Sequence, residues 1–375
     1  MKWSNRSIVI YSNLSFRVED WAAPSVLKGT GGSEEAVIYL SRELAKLGYE
    51  VTVFNPCGKL AGNYDGVSYQ PHEQFDPEDQ FNFVVIHRFW LHPIQMNLQA
   101  KKIAVWLHDH PKILPPIEDA QRDRFLESFD KLFVLSNFHK DCLPDWIPES
   151  KIFLTRNGIN LPDFGLSNVT RNPKRLIYIS DYLRGIEHLL NRWQDVLAEV
   201  PDAELHLFYG WQTYDALLRS PLIEKFPQLL GKKEKFLPLL EQKNVYEHGR
   251  ISHQQLIEEL FRSGIYVYPC STAAETFCIA AVKAQACGCA SVVTNFAALA
   301  ETVQSGIKID GCAGDSTVDQ AFFEAVIDLL KHPEKQVAIS QESLSLKESF
   351  GWATVAQQWH KDFFTAPIEA EACSH

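Results

Sequence analysis

The feature that most constrains this chain is an alternation that runs twice. Short β-branched and aromatic runs alternate with stretches of helical periodicity, and after an interruption the alternation starts again. Ser7–Tyr11 (SIVIY) predicts a first strand. Glu34 to Leu47 follows, with Ala36, Val37, Leu40, Leu44 and Leu47 on one helical face and Gly48 where a helix ends. Glu50–Phe54 predicts the next strand, and Phe83–His87, Ile103–Leu107, Leu132–Leu135 and Ile152–Leu154 predict more. Arg156 to Pro173 is rich in Asn, Gly and Pro and predicts a linker. Leu176–Ser180 opens the second series, with strands predicted at Leu205–Phe208, Val245–His248, Ile265–Tyr268 and Ser291–Thr294. Strand and helix in this order make parallel sheets covered by helices. The expected fold is therefore α/β, with two doubly wound, Rossmann-like domains. Such sheets bind ligands at the C-terminal ends of their strands, so two of them facing each other define a cleft.

Composition narrows the function. The net charge of 36 − 47 = −11 argues against nucleic acid as the main partner, because phosphate-backbone binding relies on Lys and Arg. No uncharged apolar run reaches the length of a membrane span, and the N-terminus lacks the apolar core of a secretory signal. The eight cysteines form no CxxC pair and predict free thiols. A soluble cytoplasmic protein is expected.

Two segments carry candidate chemistry. Lys28–Glu35 (KGTGGSEE) is a glycine-rich loop that opens a helix after the first strand. Glycine permits close backbone approach and a helix N-terminus attracts anions. Its spacing is neither the dinucleotide fingerprint nor a Walker A loop, and a plain turn before a capped helix is the competing reading. Tyr268–Gly288 (YPCSTAAETFCIAAVKAQACG) places Glu275 at the mouth of a helix that is apolar almost all round and hence buried. The N–H groups of Thr276, Phe277, Cys278 and Ile279 are expected to point into the cleft, ready for a phosphate. Helix capping is the competing role for Glu275. Lys283 is the lone charge of the buried stretch, and a side chain reaching out to solvent is its alternative.

In these segments the chain resembles the retaining glycosyltransferases of family 4 (glycosyl transferases group 1), which have the two-domain GT-B fold. Glu275 resembles the first glutamate of the family's E-x7-E motif, and Thr276, Phe277, Cys278 and Ile279 resemble the backbone that holds the donor diphosphate. Gly31–Gly32–Ser33–Glu34 is similar to the GG-x-E loop. His108 in Trp106–His110 (WLHDH) resembles the histidine near the donor sugar. Ser136–His139, Asn157–Asn160 and Ser180–Leu190 resemble further segments. Arg184 stands where a basic residue faces the phosphates, and Arg250 lies in a loop similar to one that flanks the base. Trp352 resembles the aromatic of a last helix that crosses back to the first domain. The resemblance implies a first, acceptor-side domain over 1–165, a donor domain over 166–350, and a closing helix at about 351–365. One departure stands out. Lys283 replaces the second glutamate, whose family role is to accept bonds from ribose hydroxyls. An ammonium only donates. Either the ribose is held differently, or Lys283 helps neutralise the diphosphate.

The chemistry required of the residues agrees. A nucleotide sugar must shed a nucleoside diphosphate, so positive potential must be aimed at the leaving group. The sequence has no Asp-x-Asp metal motif, and Arg184, Lys283 and the helix mouth are the available source. No metal or other cofactor is expected. His108–Asp109–His110 lacks a third partner for a metal site. The expected activity is retaining transfer of a sugar from a UDP- or GDP-sugar to a glycan, lipid-linked or other hydroxyl acceptor, with Glu275 and His108 at the catalytic centre. A sugar-nucleotide 2-epimerase of the same architecture and a catalytically silent GT-B binding protein are the alternatives. The acceptor surface is expected between Ser12 and Lys28 and around Gly62 to Asp79. The sequence leaves the sugar, the base, the acceptor and the oligomeric state open.

Overall fold

The computed structural model describes residues 2–13, 20–165 and 168–365. Residues 14–19, which are part of the expected acceptor surface, lie outside the described residues, as do the tail from 366 and Cys373.

Among the described residues the strands form two sheets. The first contains β1 (Ser7–Tyr11), β2 (Glu50–Asn55), β3 (Gly62–Tyr64), β4 (Val67–Pro71), β5 (Gln80–His87), β6 (Gln99–Trp106), β7 (Lys131–Val134) and β8 (Ile152–Leu154). Their order is β3-β4-β2-β1-β5-β6-β7-β8, with the β3–β4 pair antiparallel. The second contains β9 (Asn172–Tyr178), β10 (Glu204–Phe208), β11 (Val245–Gly249), β12 (Ser263–Tyr268), β13 (Ala290–Asn295) and β14 (Ile307–Asp310). Its order, β11-β10-β9-β12-β13-β14, is the doubly wound 3-2-1-4-5-6 arrangement. The central strands are buried on both faces, as in β1, β12 and most of β5, which is why they read as continuous apolar runs.

Both sheets reverse direction beside their first strand. In the first sheet the switch point lies between β1 and β5; in the second it lies between β9 and β12. Chain leaving the C-terminal ends of these four strands supplies most of the residues described below.

The closing helix Trp352–Trp359 continues in one wider turn through His360–Phe364. It packs on the first sheet. The Trp359 ring lies 4.9 Å from Trp106 and 4.6 Å from Phe133, edge on to both, and its Nε1 donates to Thr155 Oγ1 at 2.8 Å. The seven described cysteines are all free. No helix among the described residues is long and apolar enough to cross a membrane.

Candidate active site between the two sheets

The glycine-rich loop and the buried helix of the second domain meet directly. Gly31 is the extended N-cap of the helix Gly32–Lys46. Gly29 takes φ +81°, and a β-carbon there would strike the carbonyl oxygen of Ile251 in the second domain. A β-carbon on Gly32 would lie 3.1 Å from Ile279 Cγ2. The loop is therefore rich in glycine where the second domain comes closest.

The buried helix spans Ile279–Ala286 and starts later than Thr276, the start expected from sequence. The preceding turn is held by the rest of the molecule. Thr276 Oγ1 donates to the His108 carbonyl at 2.7 Å, and the Thr276 carbonyl accepts from Ser136 Oγ at 2.8 Å. Thr302 Oγ1 donates to the Phe277 carbonyl. Cys278 then takes a left-handed conformation, φ 71° and ψ 72°, to start the helix. The carbonyls of this turn are thus engaged. The N–H groups of Thr276, Phe277, Cys278 and Ile279 have no backbone acceptor among the described residues.

Glu275 is buried and firmly oriented. Its Oε2 accepts from Tyr268 Oη at 2.7 Å and from Arg184 Nη1 at 2.9 Å. Arg184 sits at the C-terminal side of β9 and remains about a third exposed, at 35%. The two residues predicted separately, one for the catalytic centre and one for the phosphates, are a single ion pair. Arg250 donates to Thr213 Oγ1 at 3.0 Å and lies over the Tyr209 ring, 5.5 Å from its centroid. Trp211, by contrast, is buried against Tyr182 and Phe236.

His108 comes from the first domain, after β6. Its ring is 4.5 Å from Trp106 and 4.8 Å from His87. Burial, and then the nearby Arg88 guanidinium, push its pKa down to about 3. The imidazole is therefore neutral at physiological pH, and its buried Nε2 has no hydrogen-bond partner among the described residues. Arg88 follows β5 and grips Asp109 with two bonds, Nε to Oδ2 at 2.6 Å and Nη2 to Oδ1 at 2.7 Å. Burial alone would raise the Asp109 pKa, but this guanidinium holds it below the usual carboxylate range. Arg88 Nη1 also reaches Ser33 Oγ at 3.3 Å and Glu34 Oε1 at 3.5 Å. Arg88 (φ 73°) and Tyr209 (φ 140°) occupy backbone space that residues with side chains rarely adopt, each immediately after a strand.

Lys283 does not reach solvent. Its ammonium is 2.6 Å from Glu35 Oε2 in the first domain, with side-chain exposures of 7% and 3%. His253 Nε2 approaches the same oxygen at 3.5 Å. Glu34 and Glu35 are both buried. His110 accepts from the Lys112 N–H at 3.1 Å, a local bond that caps the following turn. No group of three or more His, Cys, Asp or Glu residues suited to a metal ion occurs among the described residues.

His139 braces the loop from behind. Its Nδ1 accepts from the Leu135 N–H at 3.3 Å, which leaves Nε2 to donate to the Asp109 carbonyl at 3.1 Å. Burial pushes its pKa down to about 4. Both His108 and His139 thus resist a proton that the unfolded chain accepts near pH 6.5. The unfolded state binds more protons between roughly pH 6.5 and 4, so stability falls as pH drops through that window. The expected result is a thermal midpoint clearly lower at about pH 5 than at about pH 7, with a smaller pH slope in His139→Gln. A flat midpoint over that range would contradict the assignment of neutral, buried imidazoles.

Sequence reasoning did not select Arg88 or Glu301, and His139 entered it only within the segment Ser136–His139. Glu301, from the second domain, accepts from the N–H groups of Asn137 at 2.9 Å and Phe138 at 2.6 Å. For Arg88 a signal was present: it directly follows the predicted strand Phe83–His87, where ligand-facing residues of doubly wound sheets occur.

Residues 172–345 match the profile of the family described as Glycosyl transferases group 1. No curated protein sequence matches the chain. Solved structures resemble it over nearly its full length. Sucrose-phosphate synthase from Thermosynechococcus elongatus aligns with a TM-score of 0.66 and 17% identity, covering 96% of this chain and 98% of the other. Anabaena Alr3699/HepE, solved with UDP-glucose, aligns at 0.63 with 13% identity, covering 95% and 98%. Trehalose-6-phosphate synthase OtsA aligns at 0.63 with 12% identity, covering 96% and 99%. The two facing sheets are the GT-B fold, and the chain is a glycosyltransferase.

Proposed function

We propose that the chain is a metal-independent, retaining transferase of the family 4 type. It would move a sugar from a UDP- or GDP-sugar to a hydroxyl of a glycan, lipid-linked or other acceptor. The observation that carries this reading is the meeting of two helix N-termini, at Gly32 and Ile279, beside the Arg184–Glu275 pair. Each N-terminus carries partial positive charge from its unpaired N–H groups. Together with Arg184 they supply positive potential where the diphosphate gains charge as the sugar–phosphate bond breaks.

On this reading the other residues orient the sugar. Glu275, fixed by Tyr268 and Arg184, accepts bonds from sugar hydroxyls and sets the ring position. His108 is held neutral and exchanges a hydrogen bond through Nε2 with the sugar or acceptor. The acceptor hydroxyl attacks from the face that the diphosphate leaves, and the departing phosphate takes its proton. That course gives retention without a protein nucleophile.

A silent GT-B binder keeps one observation in its favour, the buried Glu35–Lys283 pair at the position of the family's second glutamate. A single experiment separates these readings and the epimerase. The protein is incubated with a panel of UDP- and GDP-sugars and simple acceptors in EDTA, and nucleoside diphosphate release and product anomer are followed. Release from one donor with the donor's anomeric configuration kept is the expected outcome. Binding without release supports the silent reading, and an altered sugar without release supports the epimerase.

A further inference from the structure

The helices Gly32–Lys46 and Ile279–Ala286 come from different domains, and their first turns lie side by side: Gly32 against Ile279, then Glu35 against Lys283. Two aligned N-termini repel through their dipoles, and a buried ammonium within the second helix adds to that cost. Glu35 offsets both. Its Oε2 takes the Lys283 ammonium at 2.6 Å with the His253 imidazole at 3.5 Å, in a place nearly closed to water.

We propose that Glu35 is a positioning residue, and that its pairing with Lys283 latches the two domains in the closed arrangement that forms the phosphate-binding mouth. Opening the cleft must separate this pair, because each partner belongs to a different domain. Separation in a dry interface is costly, whereas hydration of both groups in an open cleft makes the open state accessible. The latch also accounts for the departure at Lys283: the position carries a cation whose charge is matched by the opposite domain. Lys283 therefore adds little net charge at a bound diphosphate, and its effect on the donor runs through closure. This inference rests on the proposed reading of the mouth as a donor site, but closure itself is measurable without a donor.

The test uses the full chain and three forms: Glu35→Gln, Lys283→Met, and the exchanged pair Glu35→Lys with Lys283→Glu. Small-angle scattering reports domain opening, circular dichroism reports folding, and titration with UDP and GDP reports the mouth. Both single variants should show a larger radius of gyration with an unchanged dichroism spectrum, and at least tenfold weaker binding of the nucleotide that the native protein prefers. In turnover, donor KM should rise by a larger factor than kcat falls. The exchanged pair should recover most of the compactness and binding. Unchanged scattering in Glu35→Gln would overturn the latch, as would an exchanged pair no more compact than the single variants. If Lys283→Met does not fold, the near-isosteric Glu35→Gln decides the matter alone. Failure of the native protein to bind either nucleotide removes the donor reading, while the scattering comparison still judges the latch.

Discussion

Glu275→Gln is expected to lower turnover by at least about tenfold, equivalent to about 1.4 kcal/mol of transition-state stabilisation, while nucleoside diphosphate binding stays equal or becomes tighter. The direction of the second effect follows from charge. Glu275 is the carboxylate paired with Arg184 through Nη1 at 2.9 Å. A neutral amide in its place removes a negative charge beside the diphosphate and frees the guanidinium to face it. The sugar loses its carboxylate acceptor at the same time. Steady-state kinetics and calorimetric titration with UDP or GDP separate the two effects. If affinity and turnover fell together, Glu275 would be a support of the fold rather than a contact of the sugar. The amide is the informative substitution, because Glu275→Ala would also leave the buried Tyr268 hydroxyl without its acceptor.

The second large effect is one of stability. Trp359→Ala should cost the first domain about 3–5 kcal/mol, the usual range for removing a large buried aromatic side chain. The ring is fully buried between Trp106 and Phe133, and its N–H is bonded to Thr155. The consequence reaches the site. Trp106 ends β6, and His108 stands two residues on, with its ring packed on the Trp106 ring. Urea unfolding followed by tryptophan fluorescence would report an earlier first transition, with a later one from the second domain largely retained. A single, unshifted transition would mean that the closing helix contributes little to the first domain.

The parts of the fold visible in sequence are those governed by local pattern. SIVIY is fully buried and is strand β1 over its whole predicted length, because a central parallel strand has no solvent face to interrupt the apolar run. The hairpin β3–β4 was not foreseen. Its strands are short and partly polar, and Gly62 to Asp79 read as a featureless acceptor stretch. The Asp65–Gly66 pair, both at positive φ, was the available signal for a tight hairpin turn. The edge strand β14 (Ile307–Asp310) is similarly short.

The candidate site was legible in its residue types and less so in its pairings. Helical pattern alone puts the start of the buried helix at Thr276. The structure delays it to Ile279 because Thr276 bonds His108 and Ser136, which lie more than a hundred residues earlier. Arg184 and Glu275 were each chosen for a ligand, but nothing in their spacing of 91 residues reveals that they bind each other. Glu35 and Lys283 are 248 residues apart and belong to different domains, so the partner that explains a buried lysine is invisible without coordinates. These are tertiary contacts across a domain interface, and local sequence carries no record of them.

The central claim is that the turn Thr276–Ile279, facing the glycine-rich loop, receives a nucleoside diphosphate without a divalent cation. A crystal structure of the protein grown with UDP or GDP in the presence of EDTA tests it most directly. The account predicts the diphosphate within hydrogen-bonding distance of the N–H groups at Cys278 and Ile279, with Arg184 turned toward it. Diphosphate density elsewhere on the protein, or a well-ordered nucleotide bound only when a metal ion is added, would contradict it.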